Sequence, residues 1–348
     1  MRFRPAPLAI LVLGASALAF AAGSLRSDPV PPPEVDLVAL SDAIADLAER
    51  VADATVTIEV RHHEGEQLVA GEGSGFVVDA FRGLVVTNQH VVREEPRATV
   101  VLHDGRRFEG KVLGTDPKSD LAVLRIPAGA ARRQLAWGDS DDLRPGDLVM
   151  AVGSPLNLEG TTSLGVVSAL HRRLRQGEDA YEDFIQFDAF IDRGSSGGPL
   201  VDMQGRVVGI NTAIGATEGA PSWSGIGYAV PSALARRFTA DLAEHGYVRR
   251  GRLGVKVESV SADTARLLGL ERPYGATIVE IVPDGPADRA GLELRDVILA
   301  IDGVEVTDAT QVRARIGAVE PGQRVRLKVL SRREIREVPV VVGEAPRE

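Results

Sequence analysis

A short glycine-rich run around two serines is the segment of the chain best suited to covalent chemistry. It spans Gly194–Leu200 and contains Ser195 and Ser196, followed by two glycines. A serine hydroxyl is a weak nucleophile unless an adjacent base takes its proton and amide donors stabilise the oxyanion that forms. Gly194 can adopt a backbone conformation that directs its N–H, with that of Ser196, into one cavity. The run therefore predicts Ser196 as a nucleophile, and a glycine- and serine-rich loop without chemistry is the alternative.

Histidine is the residue type best suited to act as the base for such a serine, and the chain has six histidines. His90 lies in the run Val85–Val92, in which an apolar strand ends, so a small turn would present its imidazole at the tip of that strand. A histidine considered alone more often has a structural role. The other five lie in exposed, hairpin or polar segments: His62, His63, His103, His171 and His245.

The third group needed is an acid that orients the base. Asp120 directly precedes the apolar run Leu121–Leu124, where an aspartate pays a desolvation penalty unless it has a partner such as an imidazole N–H. A plain turn carboxylate is the alternative for Asp120, and Asp116 has the context of a structural turn residue. The chain order His90, Asp120, Ser196 is that of chymotrypsin-like double barrels, in which the three groups meet in the cleft between barrels.

Strands dominate the elements that must position these residues. Short β-branched runs recur from residue 55 to residue 214, with turn signals such as Asp104-Gly105 and Gln204-Gly205 between them. Two packed antiparallel barrels of about 90 residues each account for this pattern. Helical spacing of apolar residues predicts one helix over 38–52 and another over 231–245. The segment 250–344 is again strand-rich, has no Ser/His/Asp set of its own, and is interpreted as a binding module.

Composition excludes several classes of function. The formal net charge of −9 argues against a nucleic-acid partner, which would require a basic face to meet phosphates. One basic cluster, 171–175, is interpreted as a solvated loop. The chain has no cysteine, so disulfides, thiolate nucleophiles and cysteine-based metal sites are excluded. We expect no cofactor and no metal.

The N-terminal residues predict export. Arg2 and Arg4 precede an apolar run over 8–22 that is shorter than the roughly 20 residues that span a bilayer comfortably. Ala19 and Ala21 have the small-x-small spacing of a signal peptidase site. Cleavage and retention as a membrane anchor both remain open. A proline-rich spacer follows, around Pro31–Pro33.

Several motifs together resemble the HtrA (Deg) family of serine proteases, over about residues 36–343. Within that family the chain resembles the DegS type most closely. The resemblance implies a mostly β chain, with a chymotrypsin-like double antiparallel β-barrel followed by one PDZ domain. It divides the chain into a signal or anchor segment, a linker, a trypsin-like protease domain and a PDZ domain, at residues 1–23, 24–37, 38–248 and 249–344. The motifs that carry it are Thr87–Val92, Ser119–Leu124, Ala151–Pro155, Gly194–Leu200, Gly209–Thr212 and Gly225–Pro231.

The resemblance assigns a role to each matching residue. It makes Ser196 the nucleophile, His90 the general base and Asp120 its orienter, with the Gly194 and Ser196 amides as the oxyanion hole. It places Ile191 in the wall of the primary specificity pocket, where an apolar residue favours a small aliphatic side chain in the substrate. The strand that pairs with the substrate backbone corresponds to Asn211, Thr212 and Ala213.

Three residues depart from the family pattern. Ser195 replaces the usual Asn before the nucleophile, Phe190 replaces a small residue before Ile191, and Phe187 occupies a position where Thr is common. A large ring near the pocket would shrink it or shift its loop, so cleavage preference is less determined than chemistry. Ser195 carries no charge and could not hold a newly cleaved N-terminus as an ion pair, so regulation must come from another part of the chain.

The resemblance identifies the PDZ domain as the candidate regulator. The amides of Leu253, Gly254 and Val255 would hold the terminal carboxylate of a peptide that adds as an extra strand. In DegS-type proteins such capture relieves inhibition through a loop arginine, here predicted as Arg172, with Arg173 the alternative if the alignment slips by one residue.

The predicted function is that of an endopeptidase at the periplasmic side of the bacterial inner membrane. Its partners would be protein substrates, C-terminal peptides and two further copies in a homotrimer, and its role the first cut of an envelope stress response. The alternatives are a soluble periplasmic quality-control protease and an inactive peptide-binding or holdase protein.

Overall fold

The computed structural model describes residues 36–64, 67–154, 160–174, 183–192, 194–214 and 225–346. The predicted signal or anchor segment 1–23 and nearly all of the predicted linker 24–37 lie outside these ranges. Across the described ranges, no helix is both long enough and apolar enough to cross a membrane.

The first barrel is closed and six-stranded, with the strand order β1-β2-β3-β6-β5-β4. Helix α1 (Leu37–Ala52) precedes it, and the short helix α2 (Gln89–Val92) follows its third strand. Asp36 caps α1 by accepting hydrogen bonds from the amides of Val38 and Ala39. The strands are β1 (Thr55–Glu64), β2 (Gln67–Asp79), β3 (Leu84–Thr87), β4 (Arg97–Leu102), β5 (Arg107–Asp116) and β6 (Leu121–Arg125).

The second barrel is also closed and six-stranded, with the order β10-β11-β12-β9-β8-β7. Helix α3 (Ser232–His245) follows it and ends at Gly246, which adopts the left-handed conformation that favours glycine. The strands are β7 (Leu148–Gly153), β8 (Thr161–Arg172), β9 (Phe184–Phe187), β10 (Pro199–Asp202), β11 (Val207–Ile214) and β12 (Gly227–Pro231).

One apolar cluster joins the two barrels to both long helices. Leu47 and Val51 of α1, Phe76 of β2, Met150 of β7 and Phe238 of α3 are all buried in it. Each helix covers barrel surface with the apolar stripe that its helical spacing predicts. This shared core holds the barrels in a fixed relation, which a cleft between them requires.

The C-terminal unit, from β13 onward, contains a separate core and a sheet whose path runs β14-β15-β16-β18-β19, with β17 paired to β16. Strand β14 lies at the edge of that sheet. The strands are β13 (Gly251–Arg252), β14 (Val255–Ser259), β15 (Ala276–Ile281), β16 (Val297–Ile301), β17 (Val304–Glu305), β18 (Arg324–Ser331), β19 (Glu334–Val341) and β20 (Gly343–Glu344). The helices are α4 (Ala262–Leu268), α5 (Pro286–Arg289) and α6 (Ala309–Ala318).

The predicted fold class is confirmed. The described chain is mostly β, with two closed barrels followed by a further strand-rich unit. The helices predicted over 38–52 and 231–245 begin and end within one residue of α1 and α3.

Candidate active site

His90 lies in the turn of α2, immediately after β3, and its side chain is 48% exposed. The two residues before His90 are hydrogen-bonded to Asp120 on the neighbouring turn. Asn88 Nδ2 donates to the Asp120 carbonyl at 2.8 Å, and the Gln89 amide donates to the same oxygen at 3.1 Å. The imidazole is thus exposed to the cleft while the backbone that carries it is fixed.

Asp120 contacts His90 through both carboxylate oxygens. Its Oδ1 accepts from the His90 amide at 3.0 Å, and its Oδ2 lies 2.8 Å from His90 Nδ1. Thr212 Oγ1 also donates to Oδ2, at 2.5 Å. Because an ionised carboxylate can only accept, Nδ1 carries the proton and Nε2 is left as the basic nitrogen.

The loop of Ser196 lies where the barrels approach each other. Gly197 has a φ of 85°, and a Cβ there would lie 2.2 Å from the Ser74 carbonyl oxygen and 2.3 Å from Thr87 Oγ1. Only glycine fits this position. The Gly197 amide donates to the Asn211 carbonyl at 2.7 Å, and the Ser74 amide donates to the Ser196 carbonyl at 2.8 Å, so both barrels hold the loop.

The amides of this loop divide into two groups. Ser195 N donates to the Asp192 carbonyl at 2.9 Å, and Gly198 N donates to the Ser195 carbonyl at 3.1 Å. Within the described part of the chain, no acceptor lies against the amides of Gly194 and Ser196. Gly194 has a φ of 96°, a conformation open to glycine. Two neighbouring amides are therefore available to a developing oxyanion.

The Ser196 hydroxyl makes a long hydrogen bond of 3.4 Å to the Thr212 carbonyl. Among the described residues, no hydrogen bond joins it to the His90 ring. Catalytic hydrogen bonds are often long or poorly aligned before substrate binds, so this geometry is compatible with the predicted role of Ser196 as the nucleophile. The strand predicted to pair with substrate thus contacts both Ser196 and Asp120 through one residue.

A chain of hydrogen bonds supports the Ser196 loop from the side of the first barrel, and the sequence alone does not indicate it. Ser74 Oγ donates to the Gly194 carbonyl at 2.5 Å and accepts from the Ser154 amide at 2.9 Å. Thr57 Oγ1 continues the chain to Ser154 Oγ at 2.7 Å. Ser74 is fully buried in β2, and only its position after Gly73 in a glycine-interrupted strand could have drawn attention to it.

The residues predicted to determine specificity occupy different environments. Ile191 is buried, and Phe187 is fully buried beside it in the core of the second barrel. A Cβ on Gly227 would lie 2.8 Å from the Phe187 ring and 3.2 Å from Ile191 Cδ1. Phe190 is 45% exposed, with its amide bonded to Ser163 Oγ at 2.7 Å. The ring that packs beneath Ile191 is therefore that of Phe187.

The predicted substrate-pairing residues lie on β11. Asn211 pairs with Ala229, and Ala213 pairs with Tyr228, across a bulge that contains Thr212. The bulge interrupts the regular ladder at the residue that touches both Asp120 and Ser196. A bulge next to a site redirects a side chain, which here directs the Thr212 hydroxyl to Asp120.

The predicted carboxylate loop precedes the edge strand β14. Gly254 has a φ of 75°, and its carbonyl accepts from the Val282 amide at 2.8 Å. The Leu253 carbonyl accepts from Ala287 N at 2.8 Å, and Val255 pairs with Ile281. The loop is thereby held from one side, and strand β14 is available to an added peptide strand on the other.

Arg172, the predicted regulatory residue, contacts its own barrel instead of the C-terminal unit. Its Nε donates to Gln186 Oε1 at 2.8 Å. Arg173 makes the contact between units, with Nη2 3.2 Å from Asp308 Oδ2 and Nη1 donating to Thr310 Oγ1 at 2.6 Å. Strand β8 ends at Arg172, so Arg173 lies beyond the strand and reaches a different partner.

Further arginine contacts join α6 to the barrels. Arg237 Nη1 donates to the Gly317 carbonyl at 2.8 Å, and Arg315 Nη1 lies 3.6 Å from Asp141 Oδ2. Burial lowers the pKa of Arg237 below its ordinary value, against the opposing effect of the Asp241 charge. The contacts of Arg173, Arg237 and Arg315 thus fasten both ends of α6.

Comparisons with known proteins agree with this arrangement. Residues 73–210 match the trypsin-like peptidase domain family, and residues 251–342 match the PDZ domain family. The "Probable periplasmic serine endoprotease DegP-like" of Chlamydia pneumoniae is 42% identical over 279 residues, covering 80% of this chain and 56% of the relative. The "Periplasmic pH-dependent serine endoprotease DegQ" of Escherichia coli (strain K12) is 40% identical over 272 residues, covering 78% and 59%.

Several solved protease structures are also similar to this chain. The structure titled "HtrA-type protease AlgW with tripeptide" has a TM-score of 0.68 at 36% identity and covers 87% of this chain and 98% of that chain. AlgW with a decapeptide has a TM-score of 0.64 at 34% identity, covering 87% and 99%. The chain spans little more than half the length of the curated relatives it matches, 56% of the one from Chlamydia pneumoniae.

Proposed function

Because this chain belongs to the HtrA family of serine proteases, we propose that it is a serine endopeptidase whose catalytic triad is His90, Asp120 and Ser196. One observation carries the proposal. The Asp120 carboxylate, 2.8 Å from His90 Nδ1, also accepts from Thr212, the residue whose carbonyl accepts from the Ser196 hydroxyl. One acid therefore connects the proposed base in one barrel to the proposed nucleophile in the other.

The proposed reaction proceeds through an acyl-enzyme. His90 Nε2 takes the proton of Ser196 Oγ as the oxygen attacks the scissile carbonyl, and the amides of Gly194 and Ser196 donate to the oxyanion. The imidazolium then protonates the leaving amine, and a water molecule activated by the same nitrogen hydrolyses the ester. Asp120 keeps Nδ1 as the donor and stabilises the imidazolium without taking its proton.

We propose that the substrate chain pairs with Asn211, Thr212 and Ala213 and inserts the side chain before the cleaved bond against Ile191. The buried Phe187 ring beneath Ile191 reduces the depth available to that side chain. A small side chain, such as that of alanine, is therefore the favoured occupant.

The decisive experiment compares two neighbouring serines in the full-length protein. We expect Ser196→Ala to lower the turnover of peptide substrates by about 10³-fold or more, and Ser195→Ala to leave measurable activity. Ser195 is the matched control because it is buried in the same loop, with Oγ accepting from the Asp192 amide at 3.2 Å. If Ser195→Ala removes activity and Ser196→Ala does not, the nucleophile is assigned to the wrong residue.

We propose a periplasmic location at the inner membrane, with the N-terminal segment as an anchor, and a homotrimeric assembly. The names of two relatives, each a periplasmic serine endoprotease, support the compartment. The predicted export signal supports it independently. Fractionation of the full-length protein would separate an anchored from a cleaved N-terminus, and sedimentation would determine the number of copies.

We propose that the C-terminal unit regulates cleavage by binding peptides through their terminal carboxylate at Leu253, Gly254 and Val255. Free-acid peptides should then accelerate cleavage of a reporter substrate, and amidated versions of the same sequences should not. Equal acceleration by both forms would remove the carboxylate loop from the mechanism. The similar structures of AlgW with a decapeptide and with a tripeptide support peptide binding.

We propose Arg173, rather than Arg172, as the residue that connects peptide binding to the protease. Its contacts to Asp308 and Thr310 are at the start of α6, the helix that lies beside the edge strand β14. Arg173→Gln should bring the ratio of cleavage rates with and without peptide close to one. Arg172→Gln is the matched control, and a larger effect from it would restore the original assignment.

The physiological role has two candidates. The resemblance to DegS favours a first cut in an envelope stress response, whereas the names of the relatives, DegP-like and DegQ, favour general periplasmic quality control. An unfolded soluble protein distinguishes them. Its degradation without any added peptide would support quality control, and cleavage only of a folded membrane substrate after peptide addition would support the stress role.

A further inference from the structure

The chain passes from the second barrel to the PDZ unit through a short junction that ends at Arg250. Helix α3 ends at Gly246, which packs so closely against β5 that a Cβ on Gly114 would lie 2.5 Å from the Gly246 carbonyl oxygen. Four residues later, the Arg250 carbonyl accepts from the Ala345 amide at 2.8 Å. The backbone of Arg250 is therefore hydrogen-bonded to the C-terminal residues of the PDZ unit.

The side chain of Arg250 points back into the protease domain. Its Nη2 donates to Asp116 Oδ2, and its guanidinium stacks 5.1 Å from the centroid of the buried Phe238 ring. The side chains of Arg250 and Asp116 are only 11% and 9% exposed. Because both side chains are buried, water cannot take the place of either one. Removing one side chain would therefore leave the charge of the other uncompensated.

Asp116 in turn shapes the turn that carries the proposed catalytic acid. Its Oδ2 accepts from the Ser119 amide at 3.0 Å and also from Ser119 Oγ. The next residue, Asp120, has a φ of 54°. This left-handed conformation is unfavourable for a residue with a Cβ and persists only where surrounding contacts impose it. The turn from Asp116 to Ser119 is one source of those contacts, and within it the Asp120 amide donates to the Pro117 carbonyl at 3.4 Å.

We propose that Arg250 is a positioning residue for the triad. By holding Asp116 it fixes the turn that directs the Asp120 carboxylate at His90. The junction between the two domains thus supplies part of the scaffold of the active site. This inference depends on the proposed function, because it presupposes that Asp120 orients the base.

The test measures kcat and KM for a short peptide substrate with the full-length protein. Arg250→Gln should lower kcat by about 10- to 100-fold, because a small misplacement of a catalytic group has that cost. KM should change by less than about twofold, since the substrate-binding strand is untouched. Arg250→Lys, which keeps the charge, should recover part of the loss. Arg249→Gln is the matched control, since Arg249 contacts Asp241 through its backbone amide.

A double-mutant cycle separates positioning from general damage to the fold. If Arg250 acts through Asp116, Arg250→Gln should change kcat by less than about twofold in an Asp116→Asn background. Independent effects that multiply in the double variant would overturn the inference. If the thermal unfolding midpoint shows that either single variant fails to fold, the double variant, whose buried pair is neutral, is compared with wild type instead, and a wild-type kcat in the double variant would overturn the inference.

Labelling by a serine-directed phosphonate distinguishes this inference from the proposed function. A wild-type protein that is not labelled at Ser196, either without or with an added free-acid peptide, would refute the proposed function itself. A wild-type protein that is labelled, beside a folded Arg250→Gln variant with the same labelling rate and kcat, would refute only the role of Arg250.

Discussion

The hydroxyl of Thr212 offers the sharpest test of how the candidate site is assembled. It donates to Asp120 Oδ2 at 2.5 Å, on the same oxygen that faces His90 Nδ1. Thr212→Val keeps the shape of the side chain and removes this donor, while the backbone carbonyl that contacts Ser196 is retained. Asp120 would then be oriented by His90 alone, and the imidazole would lose part of its fixed direction.

The magnitude follows from the type of bond. A hydrogen bond to a charged group contributes about 1.5–3 kcal/mol, and about 1.4 kcal/mol corresponds to a factor of ten in rate. The full loss would therefore slow the reaction by roughly 10- to 150-fold. Because the Asp120 side chain is 25% exposed, water can replace part of the lost donor, and we expect a fall in kcat of about tenfold.

The assay is peptide hydrolysis by wild-type protein, Thr212→Val and Thr212→Ser, with the phosphonate labelling rate as a second measure. Thr212→Ser retains the hydroxyl and should remain within about threefold of wild type. KM should be similar in all three, since the backbone of β11 is unchanged. Wild-type kcat in Thr212→Val, or an equal loss in both variants, would refute the role given to the hydroxyl.

Three further predictions concern residues around the same loop. Phe187→Thr should deepen the pocket beneath Ile191 and shift the preferred side chain before the cleaved bond from alanine towards valine or leucine, as measured with a series of peptides that differ only there. Gly197→Ala should abolish activity and lower the thermal unfolding midpoint, because its Cβ would lie 2.2 Å from a backbone oxygen of β2 in a conformation with φ of 85°. Ser74→Ala should slow phosphonate labelling by about tenfold, because it removes the donor to the Gly194 carbonyl and loosens the proposed oxyanion hole.

Local context in the sequence was enough to select candidates for the triad. His90 at the end of an apolar strand and Asp120 before another are features of a few neighbouring residues, and the structure brings these two within 2.8 Å. The supporting residues have no such local signal. Ser74 and Gly194 are 120 positions apart, and Thr212 and Asp120 are 92 apart, so their contacts exist only after both barrels close. The catalytic roles themselves stay predictions until the variants are measured.

The specificity residues illustrate a different limit of sequence reasoning. Phe187 and Phe190 are both large departures from the family pattern, and the sequence alone gives no reason to separate them. In the structure Phe187 is fully buried and Phe190 is 45% exposed, because β9 ends at Phe187 and the chain then turns. The end of the strand, rather than the residue type, decides which ring packs beneath Ile191.

The choice between Arg172 and Arg173 as the predicted regulatory residue also depends on where a strand ends. Strand β8 ends at Arg172, which bonds to Gln186 within its own sheet, while the next residue lies beyond the strand. Arg173 there meets Asp308, whose carboxylate already caps α6 by accepting from the amides of Thr310 and Gln311. Because Asp308 belongs to α6, any displacement of this helix relative to the protease domain would have to break the ion pair with Arg173. The Asp308 side chain thus connects the start of α6 directly to Arg173 of the protease domain, and Arg172 has no equivalent contact among the described residues.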